Sequence, residues 1–272
     1  MANKTILKWA GSKARIMDKL LPHLPAGKRL VEPFAGSCAV MMNTDYEAYL
    51  VADVNADLID MYQGIKADCD QFTRAAAIWF STARNKEGYS ELRRVFNRKQ
   101  HFAEDKLARG SLFLTLNRHC FNGLCRYNGR GEFNVPFGKH TNPYFPATEI
   151  WAFADKAEQA SIVHLEWQDT LTLVEPGDVV YCDPPYLTNE GAFTQYYQSN
   201  FNNTEHEALA VELYTLNAHL GVPVIVSNSI AAKELYADLG FTIHEIDAPR
   251  TIAANGNRQR AKEIIAVLAG RQ

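Results

Sequence analysis

The 272 residues are 47% hydrophobic and 22% charged, with 28 Lys/Arg against 31 Asp/Glu, the make-up of a globular domain with a well-filled core. No run of eighteen apolar residues occurs, which excludes a spanning helix. The segment Met1 to Trp9 lacks the apolar stretch of a secretory leader, so a cytoplasmic protein is expected. Five scattered cysteines, Cys38, Cys69, Cys120, Cys125 and Cys182, do not form a disulfide framework.

A net charge of −3 conceals an asymmetry. Between Arg84 and His140 twelve Lys/Arg face five acids, so this stretch is +7 and the remainder −10. A basic middle in an acidic frame is the footprint of a polyanion-binding insert; on charge alone a solvated helix face is an equal reading.

In chain order, Ser12 is a candidate cap for a short helix ending before Pro22, and Arg29-Leu30-Val31 reads as a strand. A glycine turn follows at Phe34-Ala35-Gly36-Ser37. Tyr49 to Ala52 is the next strand, ending at Asp53, and Asn55 caps a helix through Ile65. From Asp68 to Pro146 the strand–helix rhythm stops. Helical patterns run over Phe72–Ala83, Glu91–Arg98 and Asp105–Leu116, and Asn128-Gly129 predicts a hairpin within Leu124 to Phe137. The rhythm resumes with strands at Ile162–Leu165, Val179–Cys182 and Val222–Val226, a helix over Thr204–His219, and a closing pair at Phe241–Ile246 and Ile264–Leu268. The expected fold is α/β, a Rossmann-like doubly wound parallel sheet formed by 1–67 and 147–272 and interrupted by a helical, basic insert at 68–146.

The sharpest motif is Asp183-Pro184-Pro185-Tyr186, directly after the strand Val179–Cys182, at the sheet edge where such folds bind ligands. Two prolines fix the turn and remove two N–H donors. Asp183 and the Pro184 carbonyl then suit the two hydrogens of an exocyclic amine, and Tyr186 suits the face of a planar base. A Pro-Pro turn with a capping Asp is the bland alternative. The second motif is Glu32-Pro33-Phe34-Ala35-Gly36 with Asp53 seventeen residues beyond Gly36, which resembles a nucleoside-binding half whose acid accepts from ribose hydroxyls. An ordinary strand–helix turn is the bland alternative, and the order of this turn before Asp183 to Tyr186 weighs against it. A cluster of phosphate-binding glycines is missing, so a nucleoside without phosphates fits better than NAD or ATP. His119, Cys120 and Cys125 lack paired zinc-ligand spacing, so no metal is expected. Cys182 reads as core packing, and Ser227-Asn228 as a pocket wall or a helix cap.

Taken together, Lys8-Trp9-Ala10-Gly11-Ser12-Lys13, the Glu32 to Gly36 turn, Ala52-Asp53-Val54-Asn55, Asp183 to Tyr186 and the long block Asn117-Arg118 to Phe137-Gly138 resemble the DNA adenine (Dam) methyltransferases. Within that block, Asn122 to Asn128 and Gly131 to Gly138 are the most specific parts, and the likeness spans Leu7 to about Leu268. It is similar to the branch that reads GATC. The resemblance implies N6 methylation of adenine in double-stranded DNA after the base is flipped from the helix. It implies S-adenosylmethionine as donor, held by Trp9, Lys13, Phe34, Gly36, Asp53 and Asp183, with Asp183, Pro184 and Tyr186 catalytic. It implies DNA contacts from Lys8 and Arg126 to guanines, Leu124 and Pro136 beside thymine, Phe121 inserted into the base stack, and Asn122. No obligate protein partner is implied. Two departures stand out: Cys38 replaces a second glycine of the turn, and Phe121 replaces a tyrosine. Arg93, Arg94, Arg98 and Lys99 read as phosphate-facing or solvated. A methyltransferase of structured RNA and a catalytically silent DNA-binding module are the competing classes.

Overall fold

A computed structural model of the chain describes residues 3–102, 105–139, 142–187, 201–249 and 261–271. The chain begins with a short α1 (Met17–Leu20) between two 3-10 turns. Ser12 makes no capping bond there; its hydroxyl instead accepts from Ser37 Oγ at 2.8 Å, and the expected single helix is broken. β1 (Arg29–Glu32), β2 (Ala48–Asp53) and α2 (Ala56–Ala67) follow as expected. The Asn55 side chain accepts from the Asp57 and Leu58 amides, capping α2.

Helices α3 (Cys69–Thr82), α4 (Lys86–Asn97) and α5 (Lys106–His119) build the middle segment, with α5 capped by Asp105. α5 is buried from Arg109 to His119 and crosses α2 closely. A Cβ on Gly110 would stand 2.5 Å from the Met61 Cα, and one on Gly64 would stand 3.1 Å from the Leu107 Cα. After it come α6 (Ala147–Ala157), β3 (Ala160–His164), α7 (Trp167–Leu171) and β4 (Asp178–Cys182). The chain closes with α8 (Asn203–Leu220), β5 (Val224–Ser229), α9 (Lys233–Asp238), β6 (Thr242–Ala248) and β7 (Ala261–Leu268).

The seven strands run in the order β3-β2-β1-β4-β5-β7-β6. The first five are mutually parallel, and β7 is antiparallel to both β5 and β6. This is the expected Rossmann-like α/β fold with an antiparallel closing pair. The strand order reverses between β1 and β4, which opens a crevice beyond their carboxyl ends. Arg29 bridges β1 to Asp178 of β4 with two bonds, 3.0 and 2.6 Å.

One apolar cluster packs α2 to α6 against one sheet face, and it contains Tyr49 and Met61 together with Phe72, Phe96, Phe113 and Phe133 of the middle segment. A second cluster packs α7, α8 and α9 on the other face. The basic segment therefore shares a core with the sheet. Each such fully buried side chain contributes about 1.5–3 kcal/mol.

The expected hairpin is a ribbon with two isolated antiparallel bridges, Cys120–Phe137 and Tyr127–Phe133, rather than a ladder. Its turn covers residues 128–131, where Gly131, not Gly129, takes the left-handed conformation (φ 70°). The Asn128 carboxamide accepts from the Arg130 and Glu132 amides. Ladder bonds are few because α4 satisfies the ribbon instead. Tyr89 Oη and Arg93 Nη1 donate to the Val135 carbonyl, and Asn97 pairs in both directions with Phe133.

Candidate active site

A cavity of about 730 Å³ opens at the carboxyl ends of β1, β2 and β4 and extends to β7. Its floor is the glycine turn. Gly36 has φ 47°, and a Cβ there would lie 2.8 Å from Trp9 Nε1, so the indole and the turn fit only because the residue is glycine. Cys38 also adopts the left-handed region, φ 53°, and is fully buried. This conformation costs a side chain about 1–2 kcal/mol, so the departure at Cys38 preserves the turn at a strain. Asp53 accepts from Gly36 N at 3.0 Å and from Asn55 N at 2.9 Å. Burial pushes its carboxyl up, and those two amide bonds pull it back. Phe34 stands at the rim, edge-on to Phe201 at 5.7 Å.

The opposite wall is the Asp183 to Leu187 turn. Asp183 Oδ2 accepts from Lys13 Nζ at 2.6 Å, and the same ammonium donates to the Gly11 carbonyl at 2.8 Å. Among the described residues Asp183 Oδ1 is buried without a hydrogen-bond partner. Burial pushes the Asp183 carboxyl up to about 6, with Lys13 opposing the rise and Glu263 adding to it. Lys13 Nζ also lies 4.9 Å from the Tyr186 ring centroid. Trp9, Lys13, Phe34, Gly36, Asp53, Asp183, Pro184 and Tyr186 thus line one cavity.

Sequence reasoning missed three wall residues. Glu32, named only as part of the turn, is a buried acid whose Oε1 has no partner among the described residues, and burial pushes it up to about 8. Glu263 of β7 accepts from Tyr186 Oη at 2.7 Å. Ser229 donates to the Leu187 carbonyl. Ser227 and Asn228, left open between two roles, lie inside β5: Ser227 pairs with Tyr181 Oη at 2.9 Å, and Asn228 Oδ1 accepts from Leu187 N at 3.1 Å. They support the wall and cap no helix.

A second group clusters beside the cavity. Asn117 of α5 joins the amino-terminal segment to the ribbon: its Oδ1 accepts from Lys8 N, and its Nδ2 donates to the Lys8 and Gly123 carbonyls. Phe121 N donates to the Pro136 carbonyl at 2.9 Å and Leu124 N to the Phe121 carbonyl at 3.2 Å. Arg126 Nε donates to Asn134 Oδ1 at 2.8 Å. Lys8, Phe121, Asn122, Leu124 and Pro136 are therefore brought together, with Arg126 two residues beyond Leu124, and Phe121 is 39% exposed. Asn122 takes φ 55°.

The basic footprint needs correction. Arg109 is buried, paired with Asp57 at 2.6 Å and stacked on Phe96. Arg118 is buried with its guanidinium on the Ile6 carbonyl. Arg93 holds the ribbon rather than facing solvent freely. Arg94 is exposed and pairs with Glu91, Arg98 is exposed, and the Lys99 side chain lies outside the described residues. Cys120 and Cys125 thiols contact the Leu124 carbonyl and the Tyr127 hydroxyl, His119 Nδ1 lies 2.8 Å from the Thr115 carbonyl, and Cys182 is fully buried.

The family model for D12 class N6 adenine-specific DNA methyltransferases matches residues 9–252. The chain belongs to that family. It is similar to the retron Ec67 DNA adenine methylase of Escherichia coli, 47% identical over 270 residues that cover 98% of this chain and 92% of that protein. The DNA adenine methylases of Serratia marcescens (41% identical, 97% of this chain and 98% of that one) and of Escherichia coli K12 (40%, 97% and 95%) are also similar. As a family member this DNA adenine methyltransferase acts on DNA with a methyl donor. Among the described residues no helix is long and apolar enough to cross a membrane.

Proposed function

We propose that the chain transfers a methyl group from S-adenosylmethionine to N6 of adenine in double-stranded GATC, with the adenine flipped into the cavity. The observation that carries this reading is the buried Oδ1 of Asp183, without a partner among the described residues, one residue before a proline turn in the cavity that the Gly36–Asp53 pair also lines. Such an atom calls for a donor.

The residues present fit S-adenosylmethionine. The Gly36 turn has no room for a side chain beside Trp9, Asp53 keeps lone pairs for ribose hydroxyls beyond its two amide bonds, and nothing in the turn is built for phosphates. Trp9, Lys13, Phe34, Gly36, Asp53 and Asp183 would hold it. When bound it supplies a sulfonium methyl, an electrophile that an amine nitrogen takes in one displacement.

Asp183 Oδ1 and the Pro184 carbonyl accept the two N6 hydrogens. Those bonds keep the nitrogen lone pair out of ring conjugation and fix its direction. Tyr186 stacks on the base. Asp183, ionised above about pH 6, is the acceptor for the departing proton, directly or through water. Segment 68–146 serves as the recognition unit on the catalytic domain of 1–67 and 147–272. Arg126 bridges guanine O6 and N7, worth about 1–3 kcal/mol of discrimination. Among the described residues its terminal nitrogens make no hydrogen bond, while Asn134 fixes Nε. Leu124 and Pro136 meet the thymine methyl, Lys8 contacts the first guanine, Asn122 borders the same base steps, and exposed Phe121 enters the gap left by the flipped base. Stacking needs no hydroxyl at Phe121.

Transfer of labelled methyl to a duplex with one GATC, to single-base variants, to a scrambled duplex and to a structured RNA tests the reading. GATC should exceed every single-base variant by about tenfold or more. Equal transfer to the scrambled duplex removes the specificity, transfer to RNA alone favours an RNA methyltransferase, and tight DNA binding without transfer favours a silent binding module.

A further inference from the structure

Two consecutive prolines leave the Asp183 to Tyr186 turn without two of its backbone donors. The turn must therefore be held from outside: Lys13 holds Asp183 at its start, and the bonds to its far end come from β5 and β7. Leu187 N donates to Asn228 Oδ1 at 3.1 Å, Ser229 Oγ donates to the Leu187 carbonyl at 2.5 Å, and Tyr186 Oη donates to Glu263 Oε2 at 2.7 Å. Ser229 and Glu263 are direct partners in the β5–β7 ladder. One cross-strand pair thus grips consecutive residues of the turn through two side chains, Ser229 on the Leu187 carbonyl and Glu263 on the Tyr186 phenol.

We propose that Glu263 is a positioning residue for methyl transfer, holding the Tyr186 ring by its phenol in the plane against which the target adenine stacks. This rests on the stacking role given to Tyr186 above. A carboxylate on an antiparallel strand that borders the cavity is otherwise at odds with its apolar neighbours, Ile264, Ile265 and Ala266, all fully buried. Its bond anchors the phenol oxygen at the far end of the ring and so limits the swing about the Cα–Cβ bond that would carry the stacking surface out of place. Its charge also raises the Asp183 carboxyl, so Glu263 acts on both the ring and the carboxylate of the catalytic turn. A loose ring still stacks, but fewer of its orientations leave N6 between Asp183 and Pro184, and misplacement on the ångström scale costs about a hundredfold in rate.

The test uses the full chain with S-adenosylmethionine and a GATC duplex, comparing Glu263→Ala, Glu263→Gln, Tyr186→Phe and the Tyr186→Phe/Glu263→Ala double variant. Glu263→Ala should lower kcat by about 10–100-fold and leave KM for DNA within about threefold. Glu263→Gln, whose amide oxygen still accepts from the phenol, should recover to within about fivefold of wild type. It should also move the acid limb of the kcat profile to lower pH, because the charge that raises Asp183 is gone. Tyr186→Phe should reproduce the Glu263→Ala loss, and the double variant should be no worse than either. Additive losses, a wild-type kcat for Glu263→Ala, or a Gln variant as impaired as Ala overturns the proposal. If Glu263→Ala fails to fold, the Gln variant and Tyr186→Phe decide alone: a wild-type kcat for Tyr186→Phe or an unmoved acid limb in Gln overturns it. Full activity of Tyr186→Ala would instead sink the stacking role itself, whereas an inactive Tyr186→Ala beside an unimpaired Glu263→Ala sinks only the part given to Glu263.

Discussion

Replacing Lys13 with Met removes the ammonium that lies 2.6 Å from Asp183 Oδ2 while keeping an apolar stem of similar length in the buried wall. Asp183 stands at about 6 because burial raises it and Lys13 opposes the rise. An adjacent cation lowers a carboxylate by about 1–3 pH units, so its loss should carry Asp183 to roughly 7–9, equivalent to about 1.4–4 kcal/mol. The sign follows from the role: the ionised carboxylate accepts the N6 hydrogens, so activity is present above its pKa and lost below. The acid limb of kcat, measured at saturating S-adenosylmethionine and DNA, should move upward, cutting the rate at pH 7.5 by up to about thirtyfold and restoring much of it near pH 9. Weaker donor binding, also expected from losing Lys13, changes KM but leaves the limb of kcat in place. A limb unmoved from wild type refutes the electrostatic coupling of Lys13 to Asp183.

Other perturbations separate the parts of the site. Asp53→Ala should weaken S-adenosylmethionine binding in calorimetric titration and leave base preference unchanged, and an unaltered dissociation constant removes Asp53 from the donor site. Arg126→Ala should lose about 1–3 kcal/mol in kcat/KM on GATC and far less on a duplex altered at the contacted guanine. Arg94→Ala, if that exposed side chain meets phosphate, should weaken all duplexes alike and flatten the salt dependence by about one unit; a uniform loss for Arg126→Ala would demote it to a backbone contact. Glu32→Gln should raise the melting temperature at pH 8.5 and leave it unchanged at pH 5. The buried carboxyl stands at about 8 against an ordinary 4.5, so it drains stability as pH rises through that window, by a few kcal/mol at most. Equal wild-type and variant melting curves at pH 8.5 would contradict the burial of a charge there.

The sheet was legible because its strands carry short apolar runs punctuated by Gly, Pro and Asp. Asp53 and Asp183 were legible because ligand sites sit where such strands end. The helix α6 is also written in the sequence, because Ile150, Phe153 and Ala157 are buried at helical spacing. Five residues of α7 are too few to show any period. The ribbon misled because Asn128-Gly129 has the composition of a two-residue turn, while the longer turn through Gly131 and the side chains of α4 decide the geometry. Charge counting placed Arg93, Arg109 and Arg118 in a polyanion footprint, yet all three are occupied within the protein, which only their tertiary neighbours reveal. Glu263 gave no local signal at all. It reaches Tyr186, 77 residues away in the chain, because β7 inserts antiparallel beside β5.

Transfer to N6 through Asp183 is tested most directly by one single-turnover measurement. Wild type and Asp183→Asn are each mixed with S-adenosylmethionine and a duplex bearing a single GATC, and the nucleosides are then analysed by mass. Wild type should yield N6-methyladenine from the GATC adenine alone, and Asp183→Asn, whose amide is an uncharged and weaker acceptor, should fall by orders of magnitude while binding the duplex normally. Methyl groups on another base, or an Asn variant within about threefold of wild type, would contradict the chemistry assigned to this site.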